Sequence, residues 1–199
     1  MKIKTLDKNT YSTCPGGLTL SNRKLKELRP ELYGILGLIC KIRDKRDFGV
    51  TQIRRIKEHI YFGDSQPAVV LSIDPVIIAA YSEDLDCIIP IKFPNIYAKK
   101  YKLKEKSRVL TINTYVRIEN PDKDIILGKN HSGLWGGIFP IIAEFVSDDK
   151  YIIKAKKKEF TEELWEHVYK LGLEYREKYP DVCRDGRPIF SAIPVDGVR

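Results

Sequence analysis

Four cysteines in 199 residues, Cys14, Cys40, Cys87 and Cys183, are too few and too dispersed for a disulfide framework or a thiolate metal cage. Cys40 and Cys87 sit in apolar stretches, as buried thiols do, so the expectation is a reduced, cytoplasmic protein. Histidine is scarcer still. His59, His131 and His167 are remote from one another, and neither an HExxH nor an ExxH spacing occurs. No metal and no cofactor is therefore expected. The apolar run Leu32–Cys40 falls well short of the roughly twenty residues that cross a bilayer. The charged start, Met1 to Lys8, has no apolar stretch behind it of the kind a signal peptide carries, so no membrane role is expected.

What is present is ordinary globular material: 43% hydrophobic and 31% charged residues, with 13 Gly and 11 Pro. That composition excludes collagen-like and disordered chains. The net charge of +8 is carried entirely by residues 1–62. Beyond them the chain alternates, acidic over 63–98, basic over 99–120 and acidic again over 121–150.

The punctuation predicts one α+β domain over 1–199, with an N-terminal arm 1–21 and helices in 22–60. Strands are expected through 67–146, a helix over 161–178 and a tail over 180–199. Pro30 suits a first helical turn, and Ile53, Ile56 and Ile60 recur at helical spacing. Ala68–Ile73, Val76–Tyr81 and Cys87–Lys92 are short β-rich runs separated by turn residues, which predicts an antiparallel meander. Residues 108–118 alternate with a period of two, the mark of a strand. Thr161 as N-cap, Glu162 and Glu163 in the first turn, a Phe160–Trp165 staple and Pro180 beyond delimit the last helix. The expected architecture is a mainly antiparallel sheet of four to five strands, with the helices packed together on one face.

Enzyme signatures fail at essential positions. Gly128 and Gly133 have P-loop spacing, but Leu134 stands where the phosphate-binding Lys belongs. Asp74, Glu83, Asp84 and Asp86 cluster at turns, yet Pro90 occupies the acid position before Ile91 and Lys92 that a metal-dependent nuclease requires. The long loop 128–137 is the strongest candidate site, because loops of that length without their own secondary structure tend to be functional. Its glycines flank Asn130, His131, Ser132 and Trp135, and it is expected near Tyr115 and Arg117 on the polar side of the preceding strand. The competing reading makes Trp135 a plug at the edge of the core.

Around Gly49, the residues Val50, Thr51, Gln52 and Arg54 follow in the order of a turn glycine, a packed apolar residue and groove-facing side chains. This stretch resembles the turn and second helix of helix-turn-helix DNA-binding proteins, which implies that Thr51, Gln52 and Arg54 face a DNA groove. It departs from that pattern at Lys45, where a small residue is usual, and at Arg55 and Glu58, where apolar ones are. A solvated amphipathic helix is the alternative. The basic segments 43–57 (Arg43, Arg46, Gln52, Arg54, Arg55 and Lys57) and 99–108 are thus the candidate nucleic-acid surface. The functional expectation is a non-catalytic module that binds a protein partner, with nucleic-acid binding and an enzyme site in the loop as alternatives.

Overall fold

A computed structural model describes residues 12–33 and 48–188. Arg43 and Arg46 lie outside these residues, as does most of the apolar run that begins at Leu32.

The first helix, α1 (Asn22–Leu28), is capped by Ser21, whose side chain accepts from Lys24 N. A short 3-10 turn, Pro30–Leu32, follows, as the proline predicts. Helix α2 (Phe48–Phe62) leads into β1 (Asp64–Ile73), β2 (Val76–Ser82) and β3 (Cys87–Phe93). The helix α3 (Ile96–Lys100) belongs to the long connection to β4 (Arg108–Val116). β5 (Gly137–Ile142) runs directly into α4 (Ala143–Val146), then α5 (Lys150–Lys157), α6 (Glu162–Lys178) and the two-residue β6 (Arg184–Asp185).

The strands form one sheet in the order β5-β4-β1-β2-β3-β6. The predicted meander is present, and β4 returns beside β1 to complete a Greek key. The sheet has six strands, not four to five, and β6 pairs with β3 in parallel. Two residues at an edge leave no periodic trace in the sequence, which is why that strand was not foreseen. Pro67 costs the central strand no ladder bond. Pairing with β2 begins only at Ala68, and opposite Pro67 the N–H of Leu110 turns to Glu144 Oε2 at 3.0 Å.

Strands β1 to β3 are buried on both faces, and this corrects the expected helix arrangement. Val69, Leu71, Ile77, Ala79, Tyr81 and Ile88 pack with Trp165, Val168 and Tyr175 of α6 in a cluster of their own. Their neighbours Ala68, Val70, Ile78, Ala80, Ile89 and Ile91 point the other way into the larger core, with Leu25, Ile60 and Phe145. Among the described residues, the helices α1 and α2 and the last helix do not share a cluster. Each serves a different cluster, because a sheet apolar on both sides needs cover on both.

Helix α6 has the predicted bounds. Thr161 Oγ1 accepts from Leu164 N at 3.2 Å, and Phe160 meets Trp165 edge-on at 5.5 Å. Its buried stripe is Trp165, Val168, Gly172 and Tyr175, with Leu164 and Leu171 only half-buried. The stripe is rotated toward Gly172, where the helix approaches Leu71 and Ala79 so closely that a Cβ would meet them at 2.7 and 3.0 Å.

Candidate functional site

The loop 128–137 docks on the β2–β3 turn through backbone bonds. Gly128 N reaches Leu85 O at 3.1 Å, and Ser132 N reaches Asp84 O at 2.8 Å. Asp86 Oδ2 accepts from Asn130 N at 3.0 Å. Gly128 is required here, since a Cβ would lie 2.1 Å from the carbonyl oxygen of Asp86. Gly133 adopts φ +71°, which favours glycine.

Of the residues singled out in this loop, Asn130, His131 and Ser132 are exposed and Trp135 is half-buried. The structure does bring Trp135 to the end of β4. Its ring lies 5.7 Å from that of Tyr115, and the Arg117 guanidinium sits over it at 5.3 Å. Tyr115 in turn accepts from Ser82 Oγ at 3.2 Å. Asn113, two residues before Tyr115 on β4, is buried and structural, donating to Tyr81 O at 2.7 Å. One group that the sequence reading treated as a turn residue belongs with this loop. Burial, together with the neighbouring carboxylates of Asp64 and Glu83, raises the Asp84 carboxyl above its ordinary value, against hydrogen bonds from Ser132 and Trp135. Trp135→Ala is expected to cost about 1–3 kcal/mol, less than the ~3–5 of a fully buried Trp, as read from urea unfolding.

Two residues of the helix-turn-helix resemblance lie elsewhere than it implies. Gly49 lies inside α2, not in a turn before it. Gln52 is buried at 3% exposure and shares the inner face with Ile56, His59 and Ile60, so it does not face a groove. Arg54 and Lys57 are exposed and Arg55 is half-buried. The pattern misled because the 52/56/59/60 spacing hides two polar residues on the buried side, where sequence reasoning places only apolar ones.

The basic segment 99–108 also divides. Arg108 turns to α6, pairing with both carboxylate oxygens of Glu162 (Nη1 to Oε1 at 2.7 Å) and stacking on Trp165 at 5.2 Å. Lys100 turns instead to α1, where it pairs with Glu27.

On that side lies a cleft of about 530 Å³, lined by Arg23, Lys24, Lys100, Lys150, Lys154 and Lys157. Glu27 pairs with Lys100 and with Arg23 from beside the cleft, and among the described residues two carboxylates, Glu144 and Asp148, share its lining with these six cations. Both are already engaged. Glu144 accepts from Leu110 N at 3.0 Å and pairs with Lys157 at 2.9 Å; Asp148 lies 3.2 Å from Lys24 and 3.4 Å from Arg23, and a hydrogen bond from Ser21, with these cations, holds its carboxyl below the usual range.

Lys24 is the architectural cation. It is buried and donates to Glu144 O at 2.9 Å and Ser147 O at 2.5 Å, satisfying carbonyls at the end of α4. Lys150 and Lys154 have no ion pair among the described residues. The floor is Tyr101, whose ring stacks near Tyr97 at 5.3 Å and leans on Phe145 at 4.5 Å. Lys24 and Lys100 lie 5.8 and 5.5 Å from that ring's centroid. The Tyr101 hydroxyl is buried and has no hydrogen-bond partner among the described residues.

Sequence reasoning placed Lys100 in the basic segment 99–108 and assigned Lys154 and Lys157 to no site. It passed over Arg23, Lys24 and Lys150. One signal was available: Lys150, Lys154 and Lys157 stand at i, i+4 and i+7, on one face of any helix formed there.

Among the described residues no group of three or more His, Cys, Asp and Glu side chains is placed to hold a metal ion. No helix there is long and apolar enough to cross a membrane. Cys14, Cys87 and Cys183 are free thiols. Set beside known proteins, the chain matches no family model, no curated protein and no solved structure.

Proposed function

We propose that the chain is a single-domain, non-catalytic, intracellular binding module whose partner is anionic and is held in the cleft between α1, α3 and α5. The observation that carries this reading is the convergence of six cations from three distant segments on one concavity. Like charges gathered this way repel one another, and an anionic occupant relieves the cost. The unpartnered Tyr101 hydroxyl supports the same reading, because a phosphate or carboxylate oxygen would accept its proton. The free thiols accord with a reducing compartment.

Inorganic polyphosphate labelled with a fluorophore tests it. The native chain should bind with an affinity that falls steeply as salt rises. Lys150→Glu with Lys154→Glu should weaken binding about tenfold or more at low salt. The melting temperature should hardly change, since both side chains are exposed and unpaired. Undiminished binding by the double variant, or no binding by the native chain, overturns the reading.

A second reading places recognition at the loop 128–137. It is favoured by the exposure of Asn130, His131 and Ser132 beside a Trp135 held between Tyr115 and Arg117. Under it, and not under the first, Trp135→Ala abolishes binding of a partner that the Lys150/Lys154 variant still binds.

A further inference from the structure

We infer that the occupant of the basic cleft is single-stranded nucleic acid, its phosphates following Lys150, Lys154 and Lys157 while a base stacks on Tyr151. This rests on the anionic-partner reading and adds the chemistry of the ligand.

Three observations point to a polymer of regularly spaced charge with planar groups attached. The first is the spacing. Lys150, Lys154 and Lys157 all line the cleft, and on an α-helix they rise in steps of about 6 and 4.5 Å. That is a cationic row suited to consecutive backbone phosphates and poorly suited to one compact anion.

The second is Tyr151. It is 92% exposed on the same helix, three residues before Lys154, so it neighbours that lysine on the helix surface, on the side away from buried Ile153. A tyrosine ring left this open contributes nothing to the core. Next to phosphate-binding lysines it offers a base a stacking surface, the arrangement by which single strands are held without reading sequence.

The third is the kind of cation. Five of the six are lysines, point charges that hold phosphate but lack the planar fork with which arginine grips carboxylates and reads guanine. An acidic peptide would favour arginines, and would have no use for an open ring. Reading the bases of a duplex would need an element projecting into its groove. Here the cationic row faces inward across a cleft, with Ile153 buried beneath it.

The test compares four fluorescent probes on the full chain: oligothymidylate, a duplex of the same length, polyphosphate and polyglutamate. Oligothymidylate should bind more tightly than the duplex or polyglutamate at equal salt. Tyr151→Ala should weaken oligothymidylate binding about 5- to 100-fold, the range of one lost base–aromatic stack, and leave polyphosphate binding unchanged. Tyr151→Phe, which keeps the ring, should retain oligothymidylate binding. If Tyr151→Ala affects neither probe, or if the duplex or polyglutamate binds best, the inference falls while the cleft reading stands. If polyphosphate itself fails to bind, or binds regardless of Lys150→Glu with Lys154→Glu, the cleft reading falls as well. Because Tyr151 is solvent-exposed, loss of folding does not confuse the result; melting temperatures of the two Tyr151 variants check this directly.

Discussion

Lowering the pH from 7 toward 4 is expected to cost the fold roughly 3 kcal/mol through His59 alone. The ring is fully buried on the inner face of α2, against β4. Nε2 lies 2.8 Å from the carbonyl oxygen of Ile112, which only accepts, so Nε2 carries the proton. Nδ1 is then the acceptor for the Thr114 hydroxyl at 3.1 Å. The neutral ring is thus satisfied on both nitrogens.

Burial pushes its pKa from 6.5 down to about 4, against the bond to Ile112, which raises it. In the unfolded chain the imidazole takes a proton near pH 6.5, whereas the folded chain takes it only near pH 4. The stabilisation is therefore complete above pH 6.5 and is lost as the pH falls through that window. Carboxylates held low by cations, among them Asp148 beside Lys24 and Arg23 and Asp185 beside Arg187, act in the same direction at more acid pH.

His59→Leu separates the two. Its absolute stability changes, but its loss of stability between pH 7 and pH 4.5 should be smaller than that of the native chain by most of the His59 contribution. Urea titrations at a series of pH values measure this. Equal slopes for the two proteins would mean that the imidazole is solvated in the native state.

Phe145→Ala is the second large effect, expected to destabilise by about 3–5 kcal/mol and to lower the melting temperature by roughly 6–20 °C. Phe145 is fully buried in α4, with three other rings packed on it. Phe93 and Tyr97 meet it edge-on at 4.7 and 4.9 Å, and Tyr101 lies tilted against it at 4.5 Å. Truncation leaves a cavity that the surrounding elements cannot collapse into, since β3, α3 and α4 are each tied elsewhere by backbone bonds. Phe145→Leu should recover more than half of the loss. The same ring supports Tyr101 from below, so polyphosphate binding by Phe145→Ala should weaken even under conditions where the variant is folded. Denaturant unfolding and the polyphosphate titration together check both halves.

Much of the scaffold was legible in the sequence for local reasons. Thr161, the acidic first turn and Pro180 delimit α6 because capping and helix termination depend on residues next to one another. The β1–β3 meander was visible in apolar runs broken by Asp74, Pro75 and the 83–86 turn, since strand and turn preferences are also short-ranged. The neighbourhood of the loop was legible for the same reason. Tyr115 and Trp135 meet because β4 pairs directly with β5, setting Val116 opposite Gly137.

What the sequence could not show is which distant residues share a space. Lys24 reaches the carbonyl of Ser147 across 123 positions, and Lys100 joins them from a third segment. Read in isolation, each is one more solvated lysine, and only the packing of α1, α3 and α5 around Phe145 makes a cleft of them. The same holds for Gln52 and His59. Helical spacing puts them beside Ile56 and Ile60, but a polar side chain enters a core only where a partner waits, and for His59 that partner, on β4, lies more than fifty residues away. Local preference determined the elements of this protein. Burial, charge convergence and the pairing of remote polar groups were decided by the tertiary structure, because those energies depend on distance in space and not on order along the chain.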